Sequence, residues 1–425
     1  MILNPLCVLR KKRNIYFILD YYTQCLLEIN KRCFSILKIF ENNFILPNFS
    51  YIQSIKGLKT LSKKEFNEFI QYCLDNKLIL SDDEYESYKN KRKNISDEFL
   101  QDISKFAQSK TIPIKVEIEL TGKCNYTCLH CAVEKKNKSL TFKQVYNFLQ
   151  KMKELGSCII NLTGGEILLY NDLEKILTFA DKNGFCINLL SNASLFTAQN
   201  INTIFKHKCI NTLQTSLYSL KPEVYDKIVK YKNCLPKVLQ NLKLIKTMGI
   251  NIDISFVLMK YNQDEINNIK QFCEINEYNF KPVPLIFACK NHNQSPLKLR
   301  PDKKYFEEII VKNNLQNAYS PKTCNICNAG RDRLAVDYHG NIYPCSIFPK
   351  KIGTIHDNIQ NIWENNTFLK MIRKLMIGDI PKCSNCPNSD YCELCIGVFY
   401  INNGNILVPD EYDCLMAKIS KISSR

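Results

Sequence analysis

Between residues 6 and 30 the chain runs through three short apolar stretches, CVLRK, IYFILDYY and CLLEI, rich in aromatic and branched residues. Polar residues separate them, a pattern that predicts three strands. An amphipathic helix is expected over Cys33–Phe40. A second opens on Ser62 with Glu65 three residues on, a capping box. It then sets Phe66, Phe69, Ile70, Cys73 and Leu74 on one face at helical spacing. KLIL beyond it predicts a short strand, which completes an α+β unit over residues 1–85. The charged stretch DDEYESYKNKRKN reads as a linker or a surface helix, and residues 86–112 are expected to connect this unit to the next.

From residue 113 strands and helices alternate. IKVEIEL, CIINLTGGE, FCINLLSN, TLQTSLYS, NIDISFVLM and KPVPLI read as strands. Between them FKQVYNFLQKMKELG, DLEKILTFADKNG, LPKVLQNLKLIKTMG and DEINNIKQFCEI read as amphipathic helices, the first ending on Gly156. Near-continuously apolar strands in such an alternation predict an α/β fold over 113–310, a parallel sheet covered by helices. Polar groups of functional interest then belong at the carboxyl ends of the strands. The alternation stops by Pro321, and residues 311–425 are expected to form a cysteine-rich, helix-poor domain.

Composition narrows the partners. Among 425 residues, 58 Lys and Arg against 41 Asp and Glu give a net charge of +17. That balance suits an acidic partner, and equally a lysine-rich solvated surface. No aromatic-studded basic cluster or groove-reading motif points to nucleic acid. The start, MILNPLCVLRKKRNIYF, lacks a secretory cleavage pattern, and no stretch approaches the ~18 apolar residues of a membrane span. A cytoplasmic protein without a membrane partner is expected.

Cysteine is abundant, with 21 residues, and in a reducing compartment clustered thiols are more often metal ligands than disulfides. Single ones in apolar surroundings, such as Cys158 and Cys186, read as core, and so does Cys289 near a strand end. The remainder gather in two places. CNYTCLHC sets Cys124, Cys128 and Cys131 within eight residues. A structural zinc site takes four ligands, whereas three thiolates on a four-iron cube leave one iron open to an exogenous ligand. His130, lying between two of the three, points elsewhere.

With GGE at Gly164–Glu166 closing the next strand, these residues resemble the radical S-adenosylmethionine (SAM) superfamily. The resemblance covers about 113–285 and implies a partial (β/α)6 barrel. It also implies a [4Fe–4S] cluster on Cys124, Cys128 and Cys131, with SAM on the open iron. His130 would pack near the adenine, Gly164 and Gly165 would admit the methionine amine, and Glu166 would face that ammonium. Ser191 and Asn192 in LLSNA and Ser216 in TSLYS match ribose-contacting positions. DKIVKYKN, around Val229, departs from members with Arg or Thr there. Such clusters reach potentials of roughly −700 mV, and the family uses them to cleave SAM to methionine and a 5′-deoxyadenosyl radical that abstracts hydrogen from unactivated C–H bonds.

The second gathering is Cys327, Gly340 and Cys345, then Cys383-x2-Cys386-x5-Cys392-x2-Cys395, then Cys414. It resembles the SPASM extension of peptide maturases, except that Glu393 and Leu394 leave a two-residue gap where three are usual. The resemblance implies two auxiliary [4Fe–4S] clusters, one on Cys324, Cys327, Cys345 and Cys395, the other on Cys383, Cys386, Cys392 and Cys414. Without Cys324 the first would keep an open iron. A zinc ribbon would space its knuckles by ~15–20 residues, far more than the five found here.

SPASM proteins are similar in acting mostly on ribosomally made peptides. The order of elements in residues 1–85 resembles the winged-helix-like domain that binds a leader peptide as an added strand. The expectation is a maturase that forms Cys thioethers in a precursor peptide with a leader, served by an electron donor such as flavodoxin or ferredoxin. Carbon–carbon crosslinking, epimerisation and anaerobic sulfatase maturation to formylglycine are the alternatives. The last needs an acidic residue directly after Cys345, where this chain has Ser346. An iron–sulfur carrier or peptide-binding scaffold is opposed by the intact triplet and GGE. No catalytic side chain is singled out.

Overall fold

Six parallel strands, Lys115–Glu119, Ile159–Thr163, Cys186–Leu190, Ile210–Ser216, Asn251–Val257 and Asn279–Val283, pair in chain order in the computed structural model, which describes residues 1–41, 49–93, 95–317, 319 and 326–423. Helices cross between them, as the alternation predicts for a partial barrel. Phe142–Glu154 starts at a Thr141–Gln144 capping box and buries Val145, Phe148, Leu149 and Met152 against the sheet. The outward residues of the strands, such as Val116, Ile118, Ile160 and Leu162, join the same core.

The inward face differs from the expectation of near-continuously apolar strands. Glu117, Asn161, Asn188, Thr212 and Asn251 stand side by side in one register across five strands. The strands therefore alternate, apolar toward the helices and polar toward the lumen.

The sheet continues beyond the barrel. Arg333–Val336 pairs in parallel with the first barrel strand, Arg333 opposite Lys115, and the antiparallel strands Asn341–Tyr343 and Gly353–Thr354 extend it to nine among the described residues. The cysteine-rich region is also not helix-poor. It holds Ile359–Asn365, Thr367–Lys374, Ile396–Asn403 and Glu411–Ser423. The first three span only two turns or so, too few for a helical period to stand out from sequence.

At the amino end, Cys7–Lys12, Ile15–Asp20 and Cys25–Ile29 form an antiparallel sheet in that order. Helices Lys31–Ile39 and Lys63–Asp75 cover one face of it, the second with both halves of its Ser62–Glu65 capping box formed. The other face packs down onto the floor of the barrel. Residues 86–112, expected as a linker, contain the helix Asp97–Lys110, whose Phe99, Ile103 and Ala107 are buried. They lie in one cluster with Val8, Phe17 and Leu19 above and with Ile114, Cys158 and Cys186 of the barrel below. Arg10 fixes the contact. Its guanidinium donates to the carbonyls of Ser157 (2.9 Å), Asn183 (2.8 Å) and Gly184 (3.2 Å) and lies over the Phe185 ring.

Candidate active site

The loop carrying Cys124, Cys128 and Cys131 follows the first barrel strand and is held from two sides by backbone. Gly165 N–H donates to Thr121 O (2.7 Å) and Glu166 N–H to Lys123 O (2.8 Å). Across the loop, Thr127 N–H donates to Val229 O and Leu129 N–H to Ile228 O. The segment around Val229 thus supports the loop through its carbonyls. The two glycines of GGE are required by this closeness. A Cβ at Gly165 would lie 2.2 Å from Lys123 O, and one at Gly164, where φ is +154°, would lie 2.5 Å from Thr121 O.

The structure brings most of the expected residues to one cavity of about 230 Å³. Cys124, Cys128, Cys131, His130, Gly164, Gly165, Ser191, Asn192 and Ser216 all line it. Glu166 does not. It is fully buried, and its carboxylate accepts from Ser191 Oγ (2.7 Å), Asn192 N–H (2.8 Å) and Leu168 N–H (3.1 Å). The carboxylate expected to face a ligand ammonium is engaged here by these three donors and does not line the cavity wall. Glu166 ties the end of its own strand to the end of the next and so positions Ser191 and Asn192, which face the cavity.

Burial raises the Cys124 and Cys128 thiols, the latter to about 12, and the neighbouring cysteines add to the Cys128 shift. Tyr126 N–H, 3.4 Å from Cys124 Sγ, acts the other way by favouring thiolate. Three thiols lining one cavity, one of them with a backbone N–H on its sulfur, are the type of donor that an iron–sulfur cluster takes. Burial lowers His130 to about 4, so its ring is neutral near pH 7. It packs edge-on to Tyr218 with centroids 5.0 Å apart, and its Nδ1 is buried with no partner among the described residues. That orphaned atom and the glycine-lined wall suit a purine and an amino acid end.

Sequence reading missed a hydrogen-bonded triangle beside this cavity. Asn192 Nδ2 donates to Asn125 Oδ1, Asn125 Nδ2 to Ser194 Oγ, and Ser194 Oγ to Asn192 Oδ1, at 2.9, 2.9 and 2.6 Å. The signal was Asn125 inside the cysteine motif. Gln214, also missed, lines both this cavity and the lumen below it.

A second cavity of about 230 Å³ is lined by Cys327, Cys345 and Cys395, together with Lys115, Glu117, Asn161, Arg333 and Ser346. Burial, then the charge of the neighbouring thiols, raises Cys345 to about 11 and Cys395 to about 12. Cys383, Cys386, Cys392 and Cys414 form a separate group. Burial followed by mutual repulsion raises Cys383 to about 11 and pushes Cys392 well up. Cys324 lies outside the described residues. Cys158 and Cys186 are core as expected, but Cys289 is only half-buried, and its Sγ–H donates to the Cys131 carbonyl at 3.5 Å.

Residues 118–273 match the Radical SAM superfamily, and residues 327–387 match SPASM, an iron–sulfur cluster-binding domain. The antilisterial bacteriocin subtilosin biosynthesis protein AlbA of Bacillus subtilis is 24% identical over 311 residues, 67% of this chain and 67% of the relative. GTP 3′,8-cyclase of Aquifex aeolicus is 25% identical over 293 residues, 62% of this chain and 89% of the relative. The fold is that of Streptococcus suis SuiB bound to precursor peptide SuiA, with a TM-score of 0.65 at 16% identity over 97% of this chain and 99% of that one. With the first match taking in Cys124, Cys128 and Cys131 and the second Cys327, Cys345, Cys383 and Cys386, the chain is an enzyme that carries a radical SAM domain and a SPASM domain, and its cofactors are SAM and iron–sulfur clusters.

Proposed function

We propose that this enzyme is a peptide maturase that forms Cys thioether crosslinks in a ribosomally made precursor. One observation carries the reading. The cavity of Cys124, Cys128 and Cys131 and the cavity of Cys327, Cys345 and Cys395 both open onto the barrel lumen, the first sharing Gln214 with it and the second sharing Lys115 and Asn161. A substrate in the lumen lies between a radical source and an electron acceptor. That arrangement suits a net oxidation, which thioether formation is and epimerisation is not. Likeness in fold to SuiB over 97% of this chain supports a peptide as the substrate class, and so does the subtilosin biosynthesis protein.

In this reading Cys124, Cys128 and Cys131 hold the SAM-binding cluster. Gly164 and Gly165 admit the methionine end, Ser191, Asn192 and Ser216 hold the ribose, and neutral His130 meets the adenine. Cys324, Cys327, Cys345 and Cys395 hold one auxiliary cluster, and Cys383, Cys386, Cys392 and Cys414 the other. Bound there, the cofactors supply a 5′-deoxyadenosyl radical and an acceptor for the surplus electron. The peptide loses two hydrogens: one leaves as an atom to deoxyadenosine, and the thiol hydrogen leaves as a proton. The first 85 residues bind the leader. Support comes from Cys25–Ile29, which ends the antiparallel sheet with one backbone edge that pairs with no strand among the described residues. A ferredoxin or flavodoxin supplies the reducing electron. No helix among the described residues is long and apolar enough to cross a membrane, and the reduced thiols suit the cytoplasm.

The test is anaerobic incubation of the reconstituted enzyme with SAM, dithionite and a Cys-containing peptide encoded beside its gene. Thioether formation appears as loss of two hydrogens together with loss of an alkylatable thiol. A carbon–carbon crosslink would keep the thiol, and an unchanged mass with an inverted residue would mean epimerisation. Cys128→Ala must abolish 5′-deoxyadenosine; retained cleavage overturns the assignment of the cluster.

A further inference from the structure

Barrel lumens are usually packed with branched apolar side chains. Here the half nearest the amino ends of the strands is a cavity of about 710 Å³ with amide walls. Asn211 Nδ2 donates to Asn188 Oδ1 (2.9 Å), Asn188 Nδ2 to Asn161 Oδ1 (2.9 Å), and Asn161 Nδ2 reaches Glu117 Oε2 (3.4 Å). Opposite them, Gln214 Nε2 donates to Ser255 Oγ (2.7 Å) and Asn279 Nδ2 to Asp253 Oδ1 (2.8 Å). Asn188 also accepts from Thr212 Oγ1 (3.2 Å) and Asn211 from Ile95 N–H (3.2 Å), so the ladder amides have two or three partners each in the wall and keep at least one N–H beyond them. Polar groups so enclosed are costly unless a ligand or solvent completes them.

Lys115 stands where this cavity meets that of Cys327, Cys345 and Cys395. Its ammonium makes no hydrogen bond or ion pair among the described residues, and burial, then the Arg333 guanidinium, hold it below the usual lysine range. The nearby carboxylates are otherwise engaged. Asp332 accepts from Arg333 Nε (3.0 Å), Ser104 and Gln108, and Glu117 accepts from Asn161. At the mouth, exposed Asp97 pairs with Lys281 (3.1 Å), while Ser96 N–H donates to Gln24 of the amino-terminal unit (2.9 Å).

We propose that this lumen is a binding site for a peptide segment bearing an acidic side chain. Its carboxylate sits on Lys115 and its main-chain amides sit on the Asn161–Asn188–Asn211 ladder. The site takes the ligand to be a peptide from the maturase reading, and adds that the stretch beside the modified residue carries Asp or Glu. The mouth next to Gln24 places the entry beside the unit that holds the leader in that reading.

The probe is a capped tripeptide, acetyl-Gly-Asp-Gly-amide, compared with its Asn counterpart by calorimetric titration of the full, cluster-loaded enzyme without reductant. The Asp peptide is expected to bind about tenfold tighter, the scale of one charge-assisted hydrogen bond. Lys115→Met should bring the two within about twofold, and Asn188→Leu should weaken both alike. Equal affinity in the wild type, or no binding of either peptide at millimolar concentration, overturns the proposal without recourse to a variant. No SAM is cleaved in this assay. An enzyme that crosslinks its precursor yet treats both tripeptides alike loses only the acidic subsite. One that discriminates between them but modifies no peptide keeps the subsite and loses the maturase reading.

Discussion

Ser191 Oγ donates to Glu166 Oε1 at 2.7 Å in a site closed to solvent, so the end of one barrel strand is fixed to the end of the next through a carboxylate. Burial raises the Glu166 carboxyl, while the donors from Ser191, Asn192 and Leu168 pull it down. Glu166→Gln presents an N–H where a donor already points. The expected loss is about 1–3 kcal/mol of stability. SAM affinity should fall about tenfold, measured by equilibrium dialysis on protein with a full iron complement. Unchanged affinity would mean that Ser191 and Asn192 need no such anchor.

Gly165→Ala drives a methyl group into Lys123 O at 2.2 Å and Cys124 Cβ at 2.8 Å. Backbone cannot yield as a flexible side chain would, so the cysteine loop must shift. The prediction is roughly 1–3 kcal/mol of destabilisation and loss of one cluster's worth of iron. Gly378→Ala, with nothing within 4 Å of the added Cβ, is the control and should load iron normally. Equal loading of the two variants would refute the steric argument.

Arg10→Met leaves the carbonyls of Ser157, Asn183 and Gly184 without their cation. Three charge-assisted hydrogen bonds at about 1.5 kcal/mol or more each set a loss of about 4 kcal/mol or more. Urea unfolding followed by tyrosine fluorescence should show the amino-terminal unit melting before the barrel. A single transition at the wild-type midpoint would show the contact to be energetically idle. Deletion of residues 1–85 is a poor probe of leader binding for the same reason, because it bares Ile112, Ile114 and Cys158 on the barrel floor.

Lys12 carries a pH signature. Burial, only partly offset by Glu364 at 3.9 Å, lowers it from 10.5 to about 8. Below pH 8 both folded and unfolded chains hold the proton and the folded state bears the full cost of the buried charge. From there to about pH 10.4 the unfolded chain still binds a proton that the folded one has released, so stability rises with pH. Lys12→Met lacks that rise. The stability difference, wild type minus variant, should move in favour of wild type by up to about 3 kcal/mol between neutral and alkaline pH, read by denaturant titration at several pH values. A difference independent of pH would remove Lys12 as the source.

The site was legible where spacing carries chemistry. C-x3-C-x2-C and GGE name their residues directly, and the cavity gathers Cys124, Cys128, Cys131, Gly164 and Gly165 as that spacing implies. Glu166 shows the limit, since its place in a motif does not tell which way its carboxylate turns. Asn161 and Asn188 escaped because each sits alone among apolar neighbours in INLT and INLLSN. Only the register of the assembled sheet lines them up. The Asp97–Lys110 helix escaped for a different reason. Its buried stripe of Phe99, Ile103 and Ala107 is narrow, and its burial comes from two units that sequence alone does not bring together.

The parallel pairing of Arg333–Val336 with Lys115–Glu119 bears on how freely such enzymes can be recombined. The join between the two halves of the chain is a strand inside a sheet, so a chimera cut between barrel and iron–sulfur domain severs a hydrogen-bonded ladder. A donor domain grafted without its own matching strand would expose the edge of Lys115–Glu119 to pairing with other chains. One grafted a single residue out of register would turn its side chains to the opposite face. Exchange of substrate range between such enzymes is therefore better sought through lumen residues than through whole-domain transplants.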